Sequence, residues 1–262
     1  MAESEQFLAT YLREIGVQTP VSLFTSVRPV VPSVAVEQQP AAVVESVASA
    51  VKAPVTVQSS PMHSETPPMV PDVSGGLAEL AIRASTCRLC ALSDTRTQVV
   101  FGVGNPNADL VFIGEAPGRE EDARGEPFVG PAGQLLDHML AAIGMDRNQV
   151  YIMNTIKCRP PNNRDPKADE VQACNLWFEQ QLDLLQPKMI CLLGRVAAQT
   201  VLGTDAPLGS LRDRWHDYHG IPVWVTYHPA YLLRSPTQKQ KSWQDLQAVM
   251  AGFQKLNRAT TG

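Results

Sequence analysis

Residues 108–118 read Ala-Asp-Leu-Val-Phe-Ile-Gly-Glu-Ala-Pro-Gly, a short apolar run that ends in a glycine-punctuated loop. Its length and its flanking glycine favour a buried strand over Ala108–Gly114. Three further apolar runs of similar length follow along the chain, at Val150–Ile156, Lys188–Gly194 and Pro222–Tyr227. We expect these four runs to form the strands of one sheet.

Helical patterns lie between these runs. They cover Ala132–Ile143, Ala168–Leu185, Val196–Leu202 and Lys239 to about Leu256, and a further one, Leu77–Arg83, precedes the first run. Strands that alternate with helices predict a parallel sheet with helices on both faces. The predicted fold class is α/β, a three-layer α/β/α sandwich with a central, mostly parallel four-stranded sheet. Ligands of such sheets bind beyond the carboxyl ends of the strands, so functional residues are expected there.

Residues 1–76 differ in composition from the rest of the chain. They hold 7 acidic and 3 basic residues, whereas residues 77–262 hold 19 of each, so the net charge of −4 resides in the N-terminal segment. That segment contains 9 of the 21 prolines and, between Pro20 and Gly76, the single aromatic residue Phe24. A chain of this composition cannot easily bury a core. We predict an extension over 1–76, with a short amphipathic helix at Glu3–Ile15 and then a disordered linker, and a folded domain over 77–262.

Composition also bears on location and partners. No window approaches the roughly 18 apolar residues of a membrane span, and the N-terminal sequence MAESEQF is acidic where a signal peptide would be basic. The sequence therefore predicts a cytosolic protein with no membrane partner. The charge balance excludes a basic, histone-like binder. Five cysteines, an odd number, favour metal binding or reactive thiols over a disulfide framework.

The segment after the first predicted strand carries glycines and carboxylates. Gly114, Gly118 and Gly130 permit close approach of a ligand to the backbone, and Glu115 leads a group of carboxylates that can orient a water molecule. The Gly-Lys-Ser/Thr sequence of a phosphate-binding loop is absent. A solvated acidic connection is the alternative interpretation, but it does not account for the aromatic residue Phe128 between two glycines.

Two more polar side chains lie at the ends of other predicted strands. Asn154 can offer a donor and an acceptor side by side, which complements the edge of a nucleobase. His228 precedes Pro229 and is suited to be an electrophile or a proton-transfer group. Taken alone, each is more often structural, as a capping Asn or a satisfied His. Because three such segments converge on one edge of the predicted sheet, they predict a binding site.

The spacing of the cysteines limits which kind of metal group they could bind. Cys87 and Cys90 form a Cys-x-x-Cys pair, Cys158 and Cys174 stand 16 residues apart, and Cys191 lies in an apolar run and is predicted to be a core residue. The second Cys-x-x-Cys of a zinc ribbon is missing, so a site of the first four thiolates suits an iron–sulfur cluster at least as well as zinc. A redox-active cysteine pair is a weaker alternative because no thioredoxin-like context surrounds it.

Four separated motifs resemble those of one known family. They are GEAPGREED (114–122), GEPFVGPAGQLL (125–136), NTIKCRPPNNRDP (154–166) and HPAYLLR (228–234), with CRLC (87–90) upstream. In this order they resemble the family 4, or iron–sulfur, uracil-DNA glycosylases of bacteria and archaea, over about residues 78–255. The resemblance implies base excision repair: hydrolysis of the N-glycosidic bond of deoxyuridine in DNA, which releases uracil and leaves an abasic site. It also implies a 4Fe-4S cluster held by Cys87, Cys90, Cys158 and Cys174.

The resemblance further implies how the base is bound. The uracil would leave the base stack and enter a pocket, where Phe128 stacks on its face and Asn154 reads its polar edge. The departing base is an anion. His228 would stabilise its charge together with backbone amides of the 115–118 loop, which includes Ala116 and Gly118.

The remaining implied roles concern water and the DNA strand. Glu115 would orient the attacking water, by analogy with other glycosyl hydrolysis, and Glu121 would shape the pocket. An exchange of these two roles is the alternative. Arg234 would contact the strand, and Leu232 and Leu233 would fill the gap left by the flipped nucleotide.

The segment CRPPNNRDP, residues 158–166, lacks the histidine by which a near relative forms a covalent DNA adduct, so a monofunctional hydrolase is expected. The predicted partner is uracil-containing DNA, double- or single-stranded, and the protein is expected to be a monomer. Since the domain is neutral overall, phosphate contacts require local clusters. Two are expected: the first consists of Arg159, Arg164 and Lys167, and the second of Arg212 and Arg214.

Two other functions stay open from the sequence, a non-catalytic DNA-binding or polymerase-associated module and a zinc enzyme acting on another nucleotide. A binder would not need Phe128, Asn154 and His228 together. In the extension, Gln18 to Phe24 is similar to the Gln-x-x-Ser-Leu-Phe peptides by which bacterial repair proteins dock on the sliding clamp, although its Gln lies one residue farther from Ser22-Leu23-Phe24. A chance Leu-Phe pair is the alternative.

Overall fold

The computed structural model describes residues 76–260. The predicted amphipathic helix at Glu3–Ile15, the predicted linker and the clamp-like peptide at Ser22-Leu23-Phe24 lie outside the described residues. The fold below is therefore that of the predicted domain.

A single sheet forms the centre of this domain. Its strands are β1 (Val103–Gly104), β2 (Leu110–Gly114), β3 (Tyr151–Asn154), β4 (Met189–Leu193), β5 (His216–Tyr218) and β6 (Ile221–Thr226), in the spatial order β1-β3-β2-β4-β6-β5. The four middle strands are parallel: Ile113 pairs with Met153 and Leu192, and Leu192 pairs with Val225. These are the four strands that the apolar runs predicted.

The prediction of four strands is wrong for the sheet as a whole, because each edge carries a short antiparallel strand. β1 pairs with β3, and β5 pairs with β6. β1 has two residues and β5 reads His-Asp-Tyr, so neither produces an apolar run. The turn between β5 and β6 has φ values of 52° at His219 and 85° at Gly220. Two successive left-handed residues are the geometry of a tight hairpin turn, and His-Gly was the local signal for it.

The helices alternate with the strands. They are α1 (Leu77–Ser85), α2 (Arg119–Arg124), α3 (Pro131–Ala142), α4 (Ala168–Leu185), α5 (Arg195–Leu202), α6 (Leu208–Leu211), α7 (Pro229–Arg234) and α8 (Lys239–Thr260). The five longer ones match the predicted helices. The short helices α2, α6 and α7 were not predicted, since four to six residues do not establish a helical period. No helix among residues 76–260 has the length and apolar character of a membrane span.

The sheet separates two apolar cores, because successive side chains of a strand point to opposite faces. In β2, Leu110 and Phe112 pack into the core formed with α3 and α8, whereas Val111 and Ile113 pack into the core formed with α4 and α5. The helices thus lie on both faces of the sheet, and the chain is a mixed α/β protein as predicted.

A third apolar cluster lies beside the sheet, where α1 packs on α4. It contains Leu80 and Ala84 of α1, Trp177 of α4, and the buried thiols Cys158 and Cys174. This cluster fixes the position of α1 and of the loop that follows it, which carries Cys87 and Cys90.

Candidate active site

The carboxyl ends of β2, β3 and β6 open into one cavity of about 370 Å³. Its walls include every predicted catalytic and substrate-binding residue. They are Glu115, Ala116, Gly118, Glu121, Phe128, Asn154, His228 and Arg234. The cavity occupies the edge of a parallel sheet at which ligands are generally bound. The structure therefore brings together residues that are separated by up to 119 positions in the sequence.

Glu115 is the first residue after β2 and is partly buried. Its backbone carbonyl accepts hydrogen bonds from the amide of Ile156 (3.0 Å) and the hydroxyl of Thr155 (2.8 Å), which fix this turn to the end of β3. Burial raises the pKa of the Glu115 carboxyl to about 7, and the negative charge of Asp165 raises it further in the same direction, while Arg195 opposes them. A carboxyl with this pKa exchanges protons near neutral pH, as a general base must.

Asn154 ends β3 and is 2% exposed. Its side-chain oxygen Oδ1 is buried and has no hydrogen-bond partner among the described residues. Gly114 makes room for it, because a Cβ at Gly114 would lie 2.4 Å from Asn154 Oδ1 and 2.6 Å from Cζ of Phe128. An unpaired buried acceptor is costly, so this oxygen is poised for an N–H group that enters the cavity.

The rings of Phe128 and His228 stack against each other in the cavity wall. Their ring centroids are 5.5 Å apart and the planes meet at 29°. Nδ1 of His228 accepts a hydrogen bond of 3.1 Å from the amide of Ala230 at the start of α7, so the neutral ring carries its hydrogen on Nε2. Burial lowers the pKa of His228 to about 4, and the nearby Arg234 lowers it too. His228 is therefore a neutral donor at pH 7. Gly194 permits this placement, since a Cβ there would lie 2.8 Å from that of His228.

Glu121 lines the cavity from α2, but its carboxylate is already engaged. Oε1 accepts hydrogen bonds from the backbone amides of Val129 (3.0 Å) and Gly130 (3.1 Å). Glu121 thus braces the loop that carries Phe128. Of the two carboxylates whose roles the sequence left open, Glu121 is thus engaged by backbone amides of this loop, whereas Glu115 borders the cavity at the end of β2.

Helix α7 carries the predicted strand-contacting residues after His228. Arg234 lines the cavity and is exposed. Leu233 is 44% exposed, whereas Leu232 is fully buried in the core between α3 and α8. The prediction for Leu232 is therefore wrong, because this side chain supports the helix from inside. Tyr231, which the sequence analysis did not single out, lines the cavity and is 38% exposed.

Two of the arginines predicted to contact phosphate are used within the protein. Arg212 donates two hydrogen bonds of 2.9 Å to the buried carboxylate of Asp245 and lies over the ring of Tyr227. Arg164 donates two to Glu170, which is 2% exposed. These ion pairs engage both guanidinium groups. Arg212 is 11% exposed, whereas Arg164 is 35% exposed and lines the cavity, and the phosphate contacts predicted for both stay predictions. Arg159 donates to Asn163 at the rim of a groove that adjoins the cavity.

Several cavity residues were missed from the sequence. Asp165 lies in the wall near Glu115 and forms an ion pair of 2.6 Å with Arg195. Asn163 and Pro160 reach the cavity from the same loop. All three belong to the motif NTIKCRPPNNRDP (154–166), which marks the segment, but only the tertiary path of this loop shows that these side chains reach the pocket.

The four predicted ligand cysteines converge on a second, smaller cavity, here called the thiol site. It is lined by Cys87, Cys90, Cys158 and Cys174. Three of the sulfurs accept hydrogen bonds: Cys87 from Trp177 Nε1 (3.1 Å), Cys158 from Arg96 (3.1 Å) and Cys174 from the backbone amide of Lys157 (3.3 Å).

The chemistry of this donor set fits a thiolate-bound cofactor. Burial raises the pKa of Cys174 to about 12 and also raises those of Cys90 and Cys158. Thiols with pKa values this high become thiolates readily only when a bound cation displaces the proton. N–H donors aimed at sulfur are the groups that stabilise a coordinated thiolate. Cys191 is fully buried in β4, in the core with α3 and α8, as predicted for a core residue.

The comparisons with known proteins bear on both cavities. A model of the uracil DNA glycosylase superfamily matches residues 101–247, which include Phe128, Asn154 and His228. The chain belongs to the uracil-DNA glycosylase superfamily. A Type-4 uracil-DNA glycosylase of Archaeoglobus fulgidus is 42% identical over 183 residues, which cover 66% of this chain and 91% of the relative.

Two further relatives place the chain within the uracil-DNA glycosylase superfamily. A Type-4 uracil-DNA glycosylase of Thermotoga maritima is 43% identical over 155 residues, 58% of this chain and 81% of that protein. A Type-5 uracil-DNA glycosylase of Pyrobaculum aerophilum is 30% identical over 149 residues, 49% of this chain and 64% of that protein. The higher identity and wider coverage assign the chain to the Type-4 uracil-DNA glycosylases.

Proposed function

We propose that this protein excises uracil from DNA by hydrolysis of the N-glycosidic bond, as the initial step of base excision repair. The observation that carries the proposal is the unpaired oxygen of Asn154 at the base of a cavity with an aromatic wall. A flipped nucleobase needs one flat apolar face and a polar edge reader, and the cavity supplies both.

Uracil is selected by its hydrogen-bonding edge. Its N3–H is a donor and its O4 an acceptor, which match the carbonyl oxygen and the amide nitrogen of Asn154. Cytosine presents an acceptor at N3 and a donor at its amino group, so the same amide would face two mismatched groups. Phe128 stacks on the base, and such stacking is worth about 1–3 kcal/mol. Glu121 orders the loop between α2 and α3 that carries Phe128, here called the Phe128 loop, and thereby shapes the cavity wall.

The bond breaks between C1′ and N1 of the nucleotide, and its electron pair leaves with the base. The Nε2–H of His228 donates a hydrogen bond to this developing anion. Because the pKa of His228 is low, the ring stays neutral while it donates. The backbone amides of Ala116 and Gly118 lie in the same wall and add donors, whereas Pro117 between them has none. Arg234 contributes a positive charge at the rim.

Water completes the reaction at C1′. Glu115 in its ionised form accepts a proton from the water, whose oxygen bonds to C1′ and leaves an abasic site. The sugar carries positive charge as the base departs, and the Glu115 carboxylate stabilises that charge as well. The pair Asp165–Arg195 next to Glu115 tunes its proton affinity.

The thiol site would hold a 4Fe-4S cluster. When bound, the cluster supplies iron–thiolate bonds that tie the loop after α1 to α4 and to the segment after β3. The four thiols line one cavity, and three of their sulfurs accept hydrogen bonds from N–H donors, as the thiolates of an iron–sulfur cluster do.

DNA would lie across the cavity mouth. Arg119 and Arg159 line a groove that adjoins it, and Arg164 lies in the cavity wall itself. Leu233 and Tyr231 on α7 are the exposed apolar side chains placed to fill the gap of the flipped nucleotide.

The test is base release by the purified protein from an oligonucleotide with a single uracil, followed by alkali treatment and gel separation of the strand. Matched oligonucleotides with cytosine or thymine at that position are the controls. We expect strand cleavage at uracil alone. A non-catalytic DNA-binding module would bind all three oligonucleotides and cleave none, which would contradict the proposal.

A further inference from the structure

The stacking residue of the pocket has a backbone conformation that needs external support. Phe128 has φ = 54°, in the left-handed region that bulky side chains rarely adopt. It is 4% exposed and its ring is wedged between Gly114 and His228. Conformations of this kind persist only where surrounding groups determine them. The conformation of Phe128 therefore depends on the groups that hold its loop.

One side of the loop is held by Glu121, as described above. The other side is held by Arg147, from the turn between α3 and β3. Its guanidinium donates to the backbone carbonyl of Pro127 (3.2 Å) and to that of Phe128. Its Nε forms an ion pair of 2.5 Å with Asp137 on α3. A planar fork with fixed donor directions is suited to hold two successive carbonyls in one orientation.

Helix α3 leaves little room for the loop to take another path. A Cβ at Gly133 would lie 1.7 Å from the carbonyl oxygen of Phe128, so the peptide rests directly on the first turn of the helix. Asp137 lies one turn further along α3 and anchors Arg147 to it. The loop is thus enclosed by Glu121 on one side and by Arg147 with Asp137 on the other.

We infer that Arg147 is a positioning residue for uracil binding, which acts by holding the carbonyls of Pro127 and Phe128 so that the Phe128 ring presents its face to the base. The inference rests on the proposed stacking role of Phe128. Arg147 does not line the cavity, and its contribution passes through Phe128 alone. Loss of Arg147 therefore weakens uracil binding only while the Phe128 ring is present.

The experiment is a double-mutant cycle on the affinity for free uracil, measured as competitive inhibition of base release by the full chain. Phe128→Ala should weaken inhibition by about tenfold, and Arg147→Met should weaken it by about threefold or more. In the double variant, Arg147→Met should add nothing to Phe128→Ala. Lys188→Met, which breaks the partly exposed Lys188–Asp109 ion pair on another part of the domain, is the matched control and should leave the affinity unchanged.

The outcomes separate the two claims. If Phe128→Ala leaves uracil affinity unchanged, the stacking role is wrong and the inference falls with it. If Phe128→Ala has its effect but Arg147→Met has none, or adds fully to it, only the inference is overturned. Should Arg147→Met not fold, Arg147→Lys serves in its place, because one ammonium cannot replace a fork that reaches two carbonyls and Asp137, and an unchanged uracil affinity in that variant overturns the inference equally.

Discussion

The pocket and the thiol site lie close together in sequence but differ in how their polar groups are satisfied. Asn154 in the pocket and Cys158 in the thiol site are only four residues apart. Asn154 keeps an unpaired oxygen, whereas the thiols of Cys87, Cys158 and Cys174 accept N–H donors from the protein. An unpaired buried group costs stability until a ligand arrives. We propose from this difference that the pocket serves binding and chemistry, and that the thiol site serves the fold.

One residue connects the two regions. The side chain of Lys157 is buried and donates to the backbone carbonyl of Asn154 (2.8 Å), while its own backbone amide donates to the sulfur of Cys174. The segment that leaves β3 is therefore anchored at both ends. Even so, we expect substitutions in the pocket and in the thiol site to have separate, measurable effects.

The largest expected effect is on the pocket. His228→Ala should reduce the rate of uracil release on the order of 10²–10³-fold, because it removes a donor to the departing base. Folding and the visible absorbance expected of the cluster should be unchanged. A single-turnover rate measured beside the absorption spectrum checks both. A rate like that of the wild type would remove His228 from the mechanism.

The second expected effect is on the thiol site. Serine at Cys87, Cys90, Cys158 or Cys174 should bleach the absorbance and lower the thermal midpoint on the order of 10 °C, because coordination energy contributes to folding. Cys191→Ser is the internal control and should keep the colour, since its thiol lies in the core on another side of the sheet. Bleaching by Cys191→Ser would contradict the division of the cysteines.

A smaller effect concerns pH. The Glu115 pKa is raised to about 7, and Glu115 acts as the general base only in its ionised form. The rate of uracil release should therefore fall about tenfold per pH unit below pH 7 and level off above about pH 8. His228 adds no limb between pH 5 and 8, because its pKa lies near 4. Glu115→Gln should be slow and should lose this limb. A wild-type profile that is flat from pH 5 to 8 would argue against Glu115 as the base.

The sequence predicted the residues that line the pocket better than the residues that hold them in place. Glu115, Asn154 and His228 each lie at or just after the end of a central strand. Because parallel strands bring their ends together, local patterns were sufficient to predict that these residues meet. Arg96 and Arg147 act through contacts that exist only in the folded chain, and nothing in their local sequence marks them. Leu232 and Leu233 show the same limit, because a six-residue helix is too short for its buried face to be read from the sequence.

The smallest effect concerns the extension, which has no part in the comparison of the two regions. We propose that Ser22-Leu23-Phe24 binds a bacterial sliding clamp, since a Leu-Phe pair suits an apolar pocket on a partner. The full chain should retain the clamp in a pull-down, and the double substitution Leu23→Ala/Phe24→Ala should lose it while Val30→Ala/Val31→Ala should not. Equal retention by all three chains would remove the idea. The rate on a short oligonucleotide should be the same in each.

Single-turnover release of uracil by Asn154→Ala, with the exposed Asn107→Ala as its matched control, is the most direct test of the proposed pocket. Asn154 supplies the edge that distinguishes uracil and lies nearest in sequence to the thiol site. We expect Asn154→Ala to lose activity on the order of 10²–10³-fold while it retains its absorbance and thermal midpoint, and Asn107→Ala to be unchanged. Wild-type release by Asn154→Ala, or a loss that comes only with bleaching and unfolding, would contradict this expectation.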